Sequence, residues 1–191
     1  MIVVSNGRDW VEAALDLYAK NFASPLSPGA AHVGPPLSTA LNVQAQLKAQ
    51  SAVAFFFFGH GLSPPATGFV GNDGNPAVDG GTIHLLAGRT VAATCCHGDR
   101  VGGLAKMNNF SIFGYAGKLG LSKRSRHIRA MEPAVLAGPR EIAAGRPAVQ
   151  AAASARREYS RLARILLQSP LASDRLFSVI VSMNASIASA W

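Results

Sequence analysis

The sequence predicts an α/β domain built round a mostly parallel sheet, and three stretches predict it. Residues 51–61 run Ser-Ala-Val-Ala, then four phenylalanines, then Gly59-His60-Gly61. An apolar run of this length is too short for a membrane span and rich in strand formers, so it reads as a strand buried on both faces of the sheet. Arg89 to Thr94 forms a second, shorter strand-like run that ends in Cys95-Cys96-His97-Gly98-Asp99. Between the two, Leu62 to Gly88 is long enough for the crossover that parallel neighbours require. Phe110 to Tyr115 reads as a third buried strand.

The other elements follow in order. Met1 to Ser5 lacks the basic start and length of a signal peptide and reads as a first strand. Asn6 is expected to cap a helix whose apolar positions Trp10, Val11, Ala14, Leu15, Leu17 and Tyr18 keep helical spacing. The proline-rich segment Ser24 to Ser38 reads as a loop, and Thr39 to Gln50 as a helix feeding the phenylalanine strand. Gly68 to Asn75 has the form of a small hairpin turning at Asp-Gly, which should lie beside the end of the central strand. Short helical segments are expected at Thr82 to Ala87, stopped by Gly88, and at Val101 to Met107. Lys118 to Arg129 is basic and aperiodic, which predicts an exposed loop where a control element could sit. A long helix is expected from Pro147 to Gln168, with Val149, Ala152, Tyr159, Leu162, Ala163 and Leu166 on one face and arginines on another. Leu176 to Met183 fits either a last strand or a buried helix.

Length and charge bound the class. The 191 residues are expected to form one domain, with a sheet-bearing core over 1–135 and a helical C-terminal part over 136–191. Two adjacent cysteines cannot make the paired framework of a secreted domain, so a reducing, cytoplasmic setting is expected. No run approaches the ~20 apolar residues of a membrane span. The formal charge of +8 suits an acidic partner but comes without a helix-turn-helix, zinc finger or stacking motif, so nucleic acid is not the expected ligand.

His60 is the first candidate for chemistry, because the carboxyl ends of strands in open α/β sheets are where ligand crevices form. If the two strands are neighbours, a thiol and an imidazole face that crevice together. An imidazole is needed there, since a free thiol is only slightly ionised at neutral pH. A metal is not expected: adjacent cysteines project to opposite sides of an extended chain, and no Cys-x-x-Cys spacing is present.

The two strand-end motifs, Gly59-His60-Gly61 and Thr94-Cys95-Cys96-His97-Gly98-Asp99, resemble the caspase-like cysteine peptidases: caspases, metacaspases and the bacterial CHAT-domain proteases. In that superfamily a His-Gly pair follows one strand and a small residue plus Cys follows the next. The resemblance covers roughly Ala52 to Tyr115. It implies a caspase-like three-layer sandwich with a mostly parallel sheet, and a cysteine endopeptidase acting on protein or peptide without a cofactor, with an activating protein partner as is common there. Carried over, His60 is the general base. The caspase pattern Ala-Cys-Arg-Gly falls on Cys95, Cys96, His97 and Gly98 and makes Cys96 the nucleophile; the CHAT pattern, with glycine three residues on, makes it Cys95. The chain departs from metacaspases at Thr94, near where they carry an aspartate.

The oxyanion donors implied by this assignment are the amides of Gly61 and Cys96. Asp73, Asp79 and Asp99 are candidates for lining a pocket for a basic side chain. The alternative function is that of a catalytically inactive caspase-like module, which docks an acidic protein or nucleic-acid partner through its basic face.

Overall fold

The computed structural model describes residues 1–26, 28–51 and 54–191. Ala52 and Val53, expected at the start of the central strand, lie outside the described residues, as does Ser27 in the proline-rich segment. Strand β1 (Ile2–Ser5) leads into helix α1 (Trp10–Ala23), and β2 (Ala31–Val33) into α2 (Ala40–Ala49). The phenylalanine strand is β3 (Ala54–Phe58), followed by the hairpin β4 (Phe69–Val70) and β5 (Pro76–Val78). Then come β6 (Thr90–Thr94), α3 (Gly98–Ala105) and β7 (Ser111–Tyr115). Three helices, α4 (Ser125–Ala143), α5 (Ala148–Leu167) and α6 (Ala172–Ile187), precede the last strand, β8 (Ala188–Ala190).

The main sheet has the order β2-β1-β3-β6-β7-β8, parallel throughout except where β8 joins β7 antiparallel. Strand β3 is central because its side chains have apolar partners on both faces. Phe56 and Phe58 meet Phe22 of α1, with ring centroids 4.7 and 6.0 Å apart, and Phe55 and Phe57 meet Phe69 of the hairpin at 6.2 and 4.6 Å. All four are fully buried, each worth about 1.5–3 kcal/mol of burial. One face is covered by α1 and α4 to α6, the other by α2, the hairpin, a short turn at Ile83–Leu86 and α3, so the architecture is a three-layer α/β fold. None of the helices among the described residues is long and apolar enough to cross a membrane.

Four expectations are corrected here. Asp9, not Asn6, caps α1; Asn6 is fully buried and its amide donates to the Val70 carbonyl at 2.6 Å. Buried apolar sequence did not reveal β2, because a three-residue edge strand among prolines carries no alternation to read. On α5 the expected face holds at Ala152, Tyr159, Leu162, Ala163 and Leu166 and is widened by Ala148, Ala151 and Ala155, but Val149 is exposed to solvent.

The fourth correction concerns the basic segment. Only residues up to Arg124 lie outside a helix; Ser125 to Arg129 form the first turns of α4. The segment is held there by α6: Arg126 and His127 both engage Asp174, His127 Nε2 lying 2.8 Å from its Oδ1. The His127 ring stacks on Phe177 with centroids 4.2 Å apart, and its Nδ1 is 2.9 Å from Ser122 Oγ. Leu176 to Met183 is therefore helix. Phe177 and Val181 face inward while Leu176, Val179 and Met183 are exposed.

This tie predicts an acid-sensitive joint. The His127 hydrogen bond, then that of Ser169 and the Arg126 charge, hold the Asp174 carboxyl below its ordinary range. A depressed folded value stabilises the fold above the unfolded carboxylate pKa and loses that contribution as pH falls through the folded one. Asp174→Asn should therefore lower the melting temperature at neutral pH, with the gap to the parent closing in strong acid. Thermal melts across pH check this, and a gap that widened on acidification would refute it.

Candidate active site

The ends of β1, β3 and β6 build the site. Strands β3 and β6 pair in register from Ala54 with Thr90 to Phe58 with Thr94, and the Gly59 amide still donates to the Thr94 carbonyl at 3.3 Å. Beyond the last pair the two segments stay side by side, since a Cβ on Gly61 would fall on the Cys96 carbonyl oxygen. Pleating alternates side chains between faces, so the sequence Phe56, Phe58, His60 and the sequence Ala92, Thr94, Cys96 project toward the α1 side. Cys96 accordingly packs against the cluster that α1 and α4 cover, whereas Cys95 belongs to the opposite cluster.

That separation puts the two thiols in different surroundings. Cys95 is fully buried, and burial, with the charges of Cys96 and Asp99 adding to it, pushes its thiol far above the ordinary value. A thiol so placed stays protonated and is a poor nucleophile. Cys96 is partly accessible at the turn between β6 and α3. The turn is made by His97, whose φ of 58° lies in the left-handed region that His enters more readily than most residues. The His97 amide donates to the Gly117 carbonyl at 2.6 Å and fixes the turn.

The segments that carry the oxyanion candidates lie side by side. Gly59 donates to the Thr94 carbonyl of β6, and the main chain at Gly61 lies against the Cys96 carbonyl. Among the described residues, neither the Gly61 nor the Cys96 amide donates to a protein acceptor. Gly61 must be glycine, because a Cβ there would collide with the Cys96 carbonyl oxygen and lie 3.6 Å from the Cys95 sulfur. The hairpin closes the other flank, with Val70 donating to the His60 carbonyl at 3.0 Å and Leu62 to that of Gly68 at 3.0 Å.

Sequence reasoning missed Asp9. Its Oδ1 accepts the Val11 and Glu12 amides at 2.9 Å each, and its Oδ2 lies 2.9 Å from His60 Nε2. The signal was present as an Asp three residues before Glu12 and next to Trp10, a capping pattern, but Asn6 was an equally good cap by type. Asp9, Glu12 and His60 bring three potential ligand atoms within 4.8 Å of one another. Arg8 grips Glu12 through Nε and Nη2 at 3.1 and 3.0 Å, so the Glu12 carboxylate is already paired with a guanidinium.

The three aspartates chosen from sequence are not brought together. Asp73 accepts the amides of Ala40 and Asn75 and so ties its turn to the start of α2, while Asp79 accepts those of Gly81 and Thr82 in its own turn. Asp99 sits in the first turn of α3, close enough to disfavour a Cys95 thiolate, and its Oδ1 is buried with no hydrogen-bond partner. Of the four such atoms among the described residues, three (Asn6 Oδ1, Thr94 Oγ1 and Asp99 Oδ1) belong to the segments that build this site. The basic segment contributes one wall: Lys123 Nζ lies 5.4 Å above the ring of Trp10, the neighbour of Asp9. A separate hollow of about 260 Å³ beside Phe22, Leu26 and Ala143 lies near the far end of α1, roughly 20 Å from Asp9 along the helix.

No family model matches this chain, and neither a curated protein nor a solved structure matches it. The site therefore rests on its own geometry.

Proposed function

We propose that this protein is a caspase-like cysteine peptidase in which Cys96 is the nucleophile and His60 the general base. One observation carries this: β3 and β6 are parallel neighbours paired as far as Phe58 and Thr94, so His60 and Cys96 follow the ends of adjacent strands, and Cys96 packs with the cluster on the α1 side while Cys95 packs with the opposite one. The three-layer order and the His-Gly and Cys motifs on adjacent parallel strands support the caspase-like assignment. Cys96 sulfur, its proton given to His60, attacks the peptide carbonyl; the oxyanion receives the Gly61 and Cys96 amides. The C–N bond then breaks as the imidazolium returns the proton to the leaving amine. Water, deprotonated by His60, attacks the thioester, releasing the acid and restoring the thiol.

An iodoacetamide or peptidyl-electrophile label should land on Cys96. Cys96→Ala should abolish both labelling and hydrolysis of a peptide library, and Cys95→Ala should leave both within about 3-fold, since a buried, protonated thiol does no chemistry. Label that stays in Cys96→Ala and vanishes in Cys95→Ala would overturn the assignment.

The binding-module alternative has less support from the basic face of α5. Arg156 donates to the Ala188 carbonyl at 2.6 Å, Arg157 to Ser154 at 2.8 Å and Arg161 to Glu158 at 2.9 Å, so these arginines are engaged within the fold. Salt-sensitive binding of an acidic protein that persisted in Cys96→Ala, with no hydrolysis by the parent, would favour the module.

A further inference from the structure

We infer that Asp9 is the positioning residue of this site, an orienting carboxylate that fixes the His60 ring with its Nε2–H outward and its Nδ1 lone pair free for the Cys96 thiol. The inference rests on the proposed Cys96–His60 pair and adds a third member to it. The two oxygens of Asp9 have separate tasks. Oδ1 is tied by the Val11 and Glu12 amides, which locks the carboxylate on the N-terminus of α1, and Oδ2 is left to meet His60 at 2.9 Å. An ionised carboxylate only accepts, so the contacting ring nitrogen carries the proton and the other presents its lone pair.

Asp9 is held ionised. Burial opposes its charge, but the Glu12 amide, His60 and the Val11 amide outweigh it and keep the carboxyl below its ordinary range. The helix N-terminus acts in the same direction. One residue also ties together the two segments that carry them: Val70 accepts from the side chain of Asn6, three residues before Asp9, at 2.6 Å and donates to the His60 carbonyl at 3.0 Å. The turn before α1 is stiffened further by the Arg8–Glu12 pair and by the Gly7 amide on Asn72 Oδ1 at 3.0 Å. The acid and the imidazole thus approach one another from two elements clamped to the same hairpin, which a cap acting alone would not need.

The competing explanation is that Asp9 caps α1 and touches His60 incidentally. Asp9→Ser separates the two, since serine is an equally good cap but too short to reach the ring. Asp9→Asn keeps both cap and reach, yet its amide can donate to His60 and favour the wrong tautomer. The experiment uses the full chain: thermal melting, Cys96 alkylation by iodoacetamide across about pH 5 to 9, and nitrogen-resolved NMR of the His60 ring.

In Asp9→Ser the melt should stay within a few degrees of the parent. Cys96 alkylation at neutral pH should fall about 10-fold, less than the ~10⁴ seen for a buried triad aspartate because Asp9 is 48% exposed. Its pH profile should move toward that of an unassisted thiol near ~8.5. The ring signal should change from one Nε2–H tautomer to a mixture. His60→Ala that slows alkylation, together with an Asp9→Ser protein whose rate, pH profile and tautomer match the parent, would leave Asp9 a cap and overturn the inference alone. His60→Ala that alkylates at the parental rate would overturn the pair and the inference with it. If Asp9→Ser melts far below the parent, Asp9→Asn decides by the same two outcomes.

Discussion

Gly61→Ala is expected to cut peptide hydrolysis and Cys96 alkylation by about 100-fold, the cost of moving reacting groups by roughly 1 Å. The added methyl meets the Cys96 carbonyl, which is main chain and cannot swing aside as the tip of a flexible side chain would. Either the end of β3 or the turn after β6 must shift, and each carries one half of the proposed pair. The Gly61 amide, one of the two proposed oxyanion donors, moves with it, and losing such a donor alone costs about 10²–10³-fold. Gly80→Ala is the control, since a methyl there meets nothing within 4 Å. Rates for both variants equal to the parent would show that the two strand ends are not the reacting centre.

Phe57→Ala should destabilise the fold by about 3–5 kcal/mol and lower its melting temperature by roughly 10 °C. Phe57 is fully buried and stacks on Phe69 with a 21° interplanar angle. Removing the ring leaves a cavity between the central strand and the hairpin, in a layer too close-packed to collapse round it. The damage should reach the site, because Phe69 bridges to Gly61 and Val70 bonds His60. Hydrogen exchange at the Val70 amide should speed up more than that of helix α5. Denaturant unfolding with a loss below about 1 kcal/mol would show that the hairpin, not the ring, carries the packing.

The elements most visible in the sequence are those whose burial is local and complete. Four consecutive phenylalanines admit few structures other than a doubly covered strand, and Gly88, at a φ of 73°, marks the stop of the short turn before β6 by its backbone freedom. The site was half visible for the same reason: His60 and the cysteines lie directly on strand ends, so finding the strands finds them. Choosing between Cys95 and Cys96 required the pairing register, because two adjacent residues of one type differ only in which face they occupy. Asp9 was hidden because its meeting with His60, 51 residues on, depends on the turn after β1. The three aspartates offered as pocket candidates were selected by charge, and charge alone does not foretell that Asp73 and Asp79 hold backbone amides while Asp99 lies beside Cys95. In α4, basic residues without an apolar period looked like a loop, but the helix is secured by Asp174 of α6, a partner no local pattern contains.

The parallel order of β1, β3 and β6 also has a meaning in time. Parallel neighbours cannot zip from a tight turn; each pair waits for an intervening crossover, and contacts between remote segments form late in folding. Asp9 in the turn after β1, His60 after β3 and Cys96 after β6 are brought to one edge only once all three strands have docked. Helices α4 to α6, rich in local contacts, can gain structure earlier. A growing or partly unfolded chain can therefore hold much of its helix before this edge is assembled. On the proposed Cys96–His60 pair, reactivity arrives with the finished sheet and would report that the chain has reached its native state.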